Sequence, residues 1–134
     1  MAVEPTFRIL PVDDEPVICE LVRAMLVSPT VEVEVASDGD EALRRARACT
    51  FDLILLDVVL PGMDGINVCR TLRSESATAR KPIYMLTAKA KPADVETALQ
   101  AGADGHISKP FRGAELLELV AALQRREGRR QAGE

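Results

Sequence analysis

Short apolar runs alternate with amphipathic stretches along nearly the whole chain, and the period of the pattern assigns each stretch. Phe7, Ile9, Leu10 and Val12 form an apolar run that ends in Asp13-Asp14-Glu15-Pro16. This predicts a first strand with acids at its carboxyl end. Pro11 lies inside the run and lacks a ladder donor, so a bulge or a lost hydrogen bond is expected beside it. Pro16 suits a first helical turn, and Val17, Ile18, Leu21, Val22, Met25 and Leu26 then recur at helical spacing until Ser28-Pro29. Val31-Glu32-Val33-Glu34-Val35 alternates strictly, as in an edge strand with one wet face. Asp38, with Glu41 three residues on, predicts a capping box for a second helix. Ala42, Leu43 and Ala46 are its apolar side, while Arg44, Arg45 and Arg47 face water.

Leu53-Ile54-Leu55-Leu56 is unbroken in its apolarity and of strand length, which fits a strand buried on both faces. Asp57 ends it, and Pro61-Gly62 and Asp64-Gly65 turn the chain. Asp64 is placed to cap a third helix with Ile66, Cys69 and Leu72 inward. Residues 82–87 read as a fourth strand ending in Thr87, and Lys89-Ala90-Lys91-Pro92 leads into a helix with Val95, Ala98 and Leu99 inside. Gly102 stops that helix as a left-handed cap. Residues 104–108 form a short fifth strand closing in Lys109-Pro110-Phe111. Leu116, Leu117, Leu119, Val120 and Leu123 build a last helix that ends near Gly128. Five strands alternating with five helices predict an α/β fold, a doubly wound parallel sheet with helices on both faces. Residues 1–126 make one domain, and 127–134 a polar tail or the start of a linker.

Composition narrows the function. The 134 residues suffice for one core, and 47% are hydrophobic. No apolar run approaches bilayer length, and the first residues lack the basic start and apolar block of a secretory signal. Cys19, Cys49 and Cys69 show no C-x-x-C spacing and read as reduced, mostly buried thiols of a cytoplasmic protein. A net charge of −4 and 3% aromatic residues argue against nucleic-acid binding by this chain alone, and nothing points to a membrane.

A parallel sheet of this kind gathers its carboxyl-terminal strand ends on one rim, where ligands bind. Asp13, Asp14, Asp57, Thr87 and Lys109 all fall there. Two carboxylates about 4 Å apart repel by roughly 4 kcal/mol at an effective dielectric near 20. Three must therefore protonate, recruit Lys109 or bind a cation. Oxygen ligands without imidazole or thiolate favour Mg²⁺ or Mn²⁺. A carboxylate beside such an ion, a hydroxyl and a lysine suits nucleophilic attack on phosphorus, giving an aspartyl phosphate. Singly, each residue has a plainer role: a strand-end hydroxyl, a surface lysine, a capping pair of acids.

Together the residues are similar to a known pattern. Val12-Asp13-Asp14-Glu15, residues 52–57 with 60–65, Leu86-Thr87-Ala88, Ala101-Gly102-Ala103-Asp104-Gly105 and Lys109-Pro110-Phe111 resemble the receiver domain of two-component response regulators, from about residue 7 to 125. The resemblance implies a flavodoxin-like fold with strand order 2-1-3-4-5. It implies Asp57 as phosphoacceptor, Asp14 as a direct metal ligand, Asp13 holding a metal-bound water, the Val59 carbonyl as a further ligand, and a cis Lys109–Pro110 bond. The implied phosphodonor is a histidine kinase or histidine phosphotransfer protein. The resemblance implies output through helix 4, strand 5 and helix 5 to a downstream protein or output domain, with a homodimer through that face left open. The implied enzymology is self-phosphorylation and self-dephosphorylation only.

The switch would draw Thr87 to the phosphate and turn a mid-strand-five side chain inward. Here that position is His106, where the family usually has an aromatic residue. It reads either as a tolerated surface variant or as a pH-sensitive rotamer switch. Val59 and Lys89, two residues after Asp57 and Thr87, occupy positions that tune phosphate lifetime in the family. Val59 has no polar group to steer water, so slow hydrolysis is expected. One alternative is the excised receiver of a longer regulator, a transcription factor, cyclase or hybrid kinase. A flavin carrier is disfavoured because Asp13-Asp14-Glu15 would repel a phosphate, and a small-substrate phosphatase because Val59 stands where a second acid is needed.

Overall fold

The structure is a computed structural model that describes residues 6–87 and 92–133, with side chains described for 6–87 and 95–126. Lys89 and the rest of the approach to the fourth helix therefore lie outside the described residues. The elements alternate as β1 (Phe7–Val12), α1 (Pro16–Leu26), β2 (Val31–Val33), α2 (Gly39–Ala48), β3 (Leu53–Asp57), α3 (Gly65–Ser74), β4 (Ile83–Thr87), α4 (Pro92–Gln100), β5 (Gly105–Ser108) and α5 (Gly113–Gly133). All strand pairs are parallel, in the order β2-β1-β3-β4-β5.

Side-chain parity explains the layering. Successive strand residues point to opposite faces. Ile54 and Leu56 of β3 join Leu10, Val12, Ile83 and Met85 in a core covered by Val68, Cys69 and Leu72 of α3 and by Ala42, Leu43 and Ala46 of α2. Leu53 and Leu55 point the other way, with Ile9 and Leu86, onto Val22 and Leu26 of α1 and Leu116, Val120 and Leu123 of α5. β3 is buried at every position. Its terminal carboxylate is thus held by a strand with no freedom to slide.

Pro11 sits in register opposite Leu55. On its other side, β1 and β2 pair from Phe7↔Val31 to Ile9↔Val33, and pairing resumes only at the Val12↔Ala36 bridge. The register is unchanged across the gap, so Pro11 causes a lost donor and no bulge. The Pro11 carbonyl still accepts from the Ala36 amide at 3.0 Å. This shortens β2 relative to the expected 31–35.

The helix caps follow the sequence with one shift. Asp38 Oδ1 accepts from the Glu41 amide at 2.8 Å, and Asp64 Oδ1 from the Asn67 amide at 2.8 Å. Glu41 reaches back to the Ser37 amide and hydroxyl, one residue beyond the expected partner. Gly102 is left-handed at φ 107°.

The expected core needs four corrections. Val17 (75% exposed), Leu21, Leu99 and Leu117 lie on the outer sides of their helices. Each helix turns about 100° per residue, so a residue next to a core position falls off the buried stripe. Cys19 and Val68 occupy buried positions instead. Helix α5 also continues past Gly128 to Gly133. Arg and Gln are good helix formers, and one internal glycine costs only about 1 kcal/mol.

Candidate functional site

The carboxyl rim of the sheet assembles the acids. Asp13 follows β1 directly, and its backbone amide donates to the Ala36 carbonyl at 3.1 Å. Its side chain is buried, and Oδ1 accepts from the Glu15 amide at 2.9 Å. Beneath it the Cys19 thiol donates to the Asp13 carbonyl at 3.4 Å. Burial and then the Asp13 charge push that thiol up to about 11, so Cys19 is a packing group and not a nucleophile. Asp14, the neighbour, is exposed.

Asp57 ends β3, and its Oδ1 accepts from the Val59 amide at 3.2 Å. The loop after it is fixed by the Gly65 amide, which donates to the Val58 carbonyl at 2.9 Å. A side chain at Gly65 has no room: a Cβ there would lie 2.0 Å from the Asp57 carbonyl oxygen. The sequence marked Asp64-Gly65 as a turn, but not this close approach.

Lys109 follows β5, its backbone amide held by the Thr87 carbonyl at 2.7 Å. The Lys109–Pro110 bond is cis. The ammonium lies 2.6 Å from Asp13 Oδ2 and 3.3 Å from Asp57 Oδ2. The lysine is thus recruited by the carboxylates, as their crowding suggested, and its shorter contact is to Asp13. Thr87 ends β4 beside Asp57, whose own register partner is Leu86. His106, exposed, lines a cavity of about 10 Å³ with Val58, Met85, Thr87, Val95 and Ala98.

The electrostatics follow from this crowding. Burial first, and then the Asp13 charge, raise the Asp57 carboxyl above the ordinary carboxylate range; Lys109 and the Val59 amide only partly oppose them. Burial works against the Lys109 ammonium, but its hydrogen bond to Asp13 and the charges of Asp57 and Asp13 keep it above the usual lysine value. One lysine thus serves two carboxylates, with a third alongside. Carboxylate oxygens of Asp13, Asp14 and Asp57 lie within 4.8 Å of one another. An all-oxygen set this compact fits a hard divalent cation. Among the described residues, no helix is long and apolar enough to cross a membrane.

Comparison with known proteins agrees with this geometry. Residues 9–121 match the response regulator receiver domain family. The DNA-binding response regulator MtrA of Mycolicibacterium smegmatis is 45% identical over 119 residues, 89% of this chain and 51% of MtrA. The transcriptional regulatory protein ResD of Bacillus subtilis is 44% identical over 119 residues, 89% of this chain and 48% of ResD. The chain therefore spans about half the length of these curated relatives. Among solved structures, the chemotaxis response regulator CheY4 of Vibrio cholerae superposes with a TM-score of 0.82 at 35% identity, covering 88% of this chain and 98% of CheY4. The receiver domain of the Pseudomonas aeruginosa sensor histidine kinase PA1611, solved with a magnesium ion coordinated in its active-site cleft, gives 0.81 at 38% identity over 88% of this chain and 97% of that one. With five parallel strands in receiver order and the acids on one rim, this chain belongs to the response regulator receiver domain family.

Proposed function

We propose that Asp57 accepts a phosphoryl group from a phosphohistidine of a histidine kinase or phosphotransfer protein, and that the occupied site alters the α4-β5-α5 face. The observation that carries this is the pair of contacts from one Lys109 ammonium to Asp13 and Asp57 inside a three-carboxylate cluster. Exposed Asp14, Asp57 and the Val59 carbonyl would hold Mg²⁺, or Mn²⁺, directly, and Asp13 would hold it through a water. The magnesium in the PA1611 receiver supports that choice of ion. When bound, the dication neutralises charge on the phosphoryl oxygens and on the cluster.

The chain's own groups do the rest. Asp57 Oδ attacks phosphorus in line with the leaving imidazole nitrogen. Its Val59 amide contact orients the carboxylate, and the rigid β3 prevents its retreat. Lys109, no longer needed between the acids, pairs with a phosphoryl oxygen, and Thr87 donates to another. His106, which lines the same small cavity as Thr87, would respond to its movement. The activity is self-phosphorylation and self-dephosphorylation of a signalling module.

MtrA, named as DNA-binding, is about twice as long as this chain, so output through an attached DNA-binding region is a second reading, favoured by that length difference. It limits the expectation of no nucleic-acid contact to the receiver itself. Incubation with acetyl phosphate and Mg²⁺ tests the main reading. The expected result is a colourless protein carrying one phosphoryl group, lost in Asp57→Asn. Equal incorporation in Asp57→Asn would overturn it.

A further inference from the structure

Arg73, near the carboxyl end of α3, lies at the opposite end of the sheet from the acids, and its side chain is only 18% exposed. Nε donates to the Gly102 carbonyl at 2.8 Å. Nη1 donates to the carbonyls of Lys81 at 2.6 Å and Ala79 at 3.0 Å, with Thr78 at 3.5 Å. Nη2 donates to Asp104 Oδ2 at 2.9 Å, and that oxygen also accepts from the Ile83 amide at 2.8 Å. The stem of Arg73 packs where a Gly102 side chain would be: a Cβ on Gly102 would meet Arg73 Cγ at 2.7 Å. One side chain thus joins α3, the segment before β4, and the turn that ends α4.

Among the described side chains of α4, residues 95–100, Ala98 is buried, and Ala101 and Ala103 are buried just past its end. Val95, one turn earlier, is half-buried and borders the small cavity shared with Thr87 and His106. We infer that Arg73 makes the carboxyl end of α4 a fixed pivot, so that displacement driven from Thr87 is confined to the helix's amino-terminal half. Arg73 is a positioning residue here, and the input at Thr87 rests on the phosphoacceptor reading above. Charge-assisted hydrogen bonds to backbone carbonyls in fixed geometry resist rotation far better than apolar contact alone.

Amide hydrogen exchange resolved by residue tests this, on the chain and on Arg73→Lys and Asp104→Asn. The second variant keeps an acceptor for the Ile83 amide and so guards against simple misfolding. The probe is Mg²⁺ with beryllofluoride, a phosphoryl mimic. In the parent chain the probe changes exchange at residues 95–97 about tenfold or more and leaves 101–104 within about twofold. In both variants, before any probe is added, residues 101–104 exchange about tenfold faster relative to the amides of Ile9 and Leu55. With the probe, the change then spreads to 101–104. A uniform response along 95–104 in the parent, or a parent-like gradient in both variants, overturns the pivot. No response anywhere, Val58 and Val59 included, contradicts the phosphoacceptor reading instead. The pivot is then decided by the probe-free comparison, where unaltered exchange at 101–104 in both variants overturns it.

Discussion

Replacing Lys109 with methionine isolates what the ammonium does in the acid cluster. The side chain keeps most of its length and volume, so packing changes little. The lost contacts, 2.6 Å to Asp13 and 3.3 Å to Asp57, correspond to Coulomb terms of about 6 and 5 kcal/mol at an effective dielectric near 20. Desolvation of the ammonium offsets much of that, and removing one member of a buried pair costs about 3–5 kcal/mol net. Metal-free Lys109→Met is therefore expected to lose about 3 kcal/mol of stability in urea unfolding with chelator present. The freed carboxylates then attract a dication more strongly. A net gain of about 1.4–2.8 kcal/mol makes Mg²⁺ binding roughly 10- to 100-fold tighter by calorimetric titration. Beryllofluoride affinity at saturating Mg²⁺ falls, because Lys109 is proposed to hold the phosphoryl oxygen. The two affinities move in opposite directions, which simple damage to the fold cannot produce. Weaker Mg²⁺ binding in Lys109→Met would refute the view that lysine and metal compete for the same charge.

Asp57→Asn is expected to flatten the pH dependence of stability in chelator. The folded carboxyl is raised by burial and by Asp13, so the fold binds more protons than the unfolded chain, and stability falls as pH rises above about 4. Urea unfolding from acid to neutral pH should show this fall in the parent and a shallower one in the variant; identical slopes would contradict it. Gly65→Ala forces a Cβ to 2.0 Å from the Asp57 carbonyl, and a loss of about 3 kcal/mol or more in unfolding free energy is expected. Val59 is 77% exposed and apolar beside the acceptor, so the phosphoprotein should persist well beyond seconds in Mg²⁺ buffer; decay within seconds would refute the slow-hydrolysis proposal. If His106 is a titrating switch, the beryllofluoride-linked response differs between pH 6 and pH 8; the same response at both removes that role.

The strands were legible because parity and run length are local. Leu53 to Leu56 faces two cores, and only an uninterrupted apolar run satisfies both. Pro11 was legible in kind: the missing donor lies on the β2 side, where it cuts the ladder short. Helix faces were legible only to within one residue. Leu117 and Leu99 fit the periodic pattern yet face out, because the width of the buried stripe is set by the sheet beneath it. The rim residues could be assembled from topology alone, since parallel strands deliver their carboxyl ends together. The preference of Lys109 for Asp13 could not, because tenths of an ångström between elements far apart in sequence decide it. Nor could the Arg73 network, whose acceptors are mostly backbone carbonyls that carry no residue signature.

In the proposed function, crowded carboxylates relieved by a hard dication make Asp57 the phosphorus nucleophile. Borohydride reduction of protein treated with acetyl phosphate, followed by peptide mass mapping, measures this most directly. A single reduced residue is expected at position 57, formed with Mg²⁺ and absent when the metal is chelated. Reduction at Asp13 or Asp14, or equal labelling of Asp57 without the metal, would contradict it.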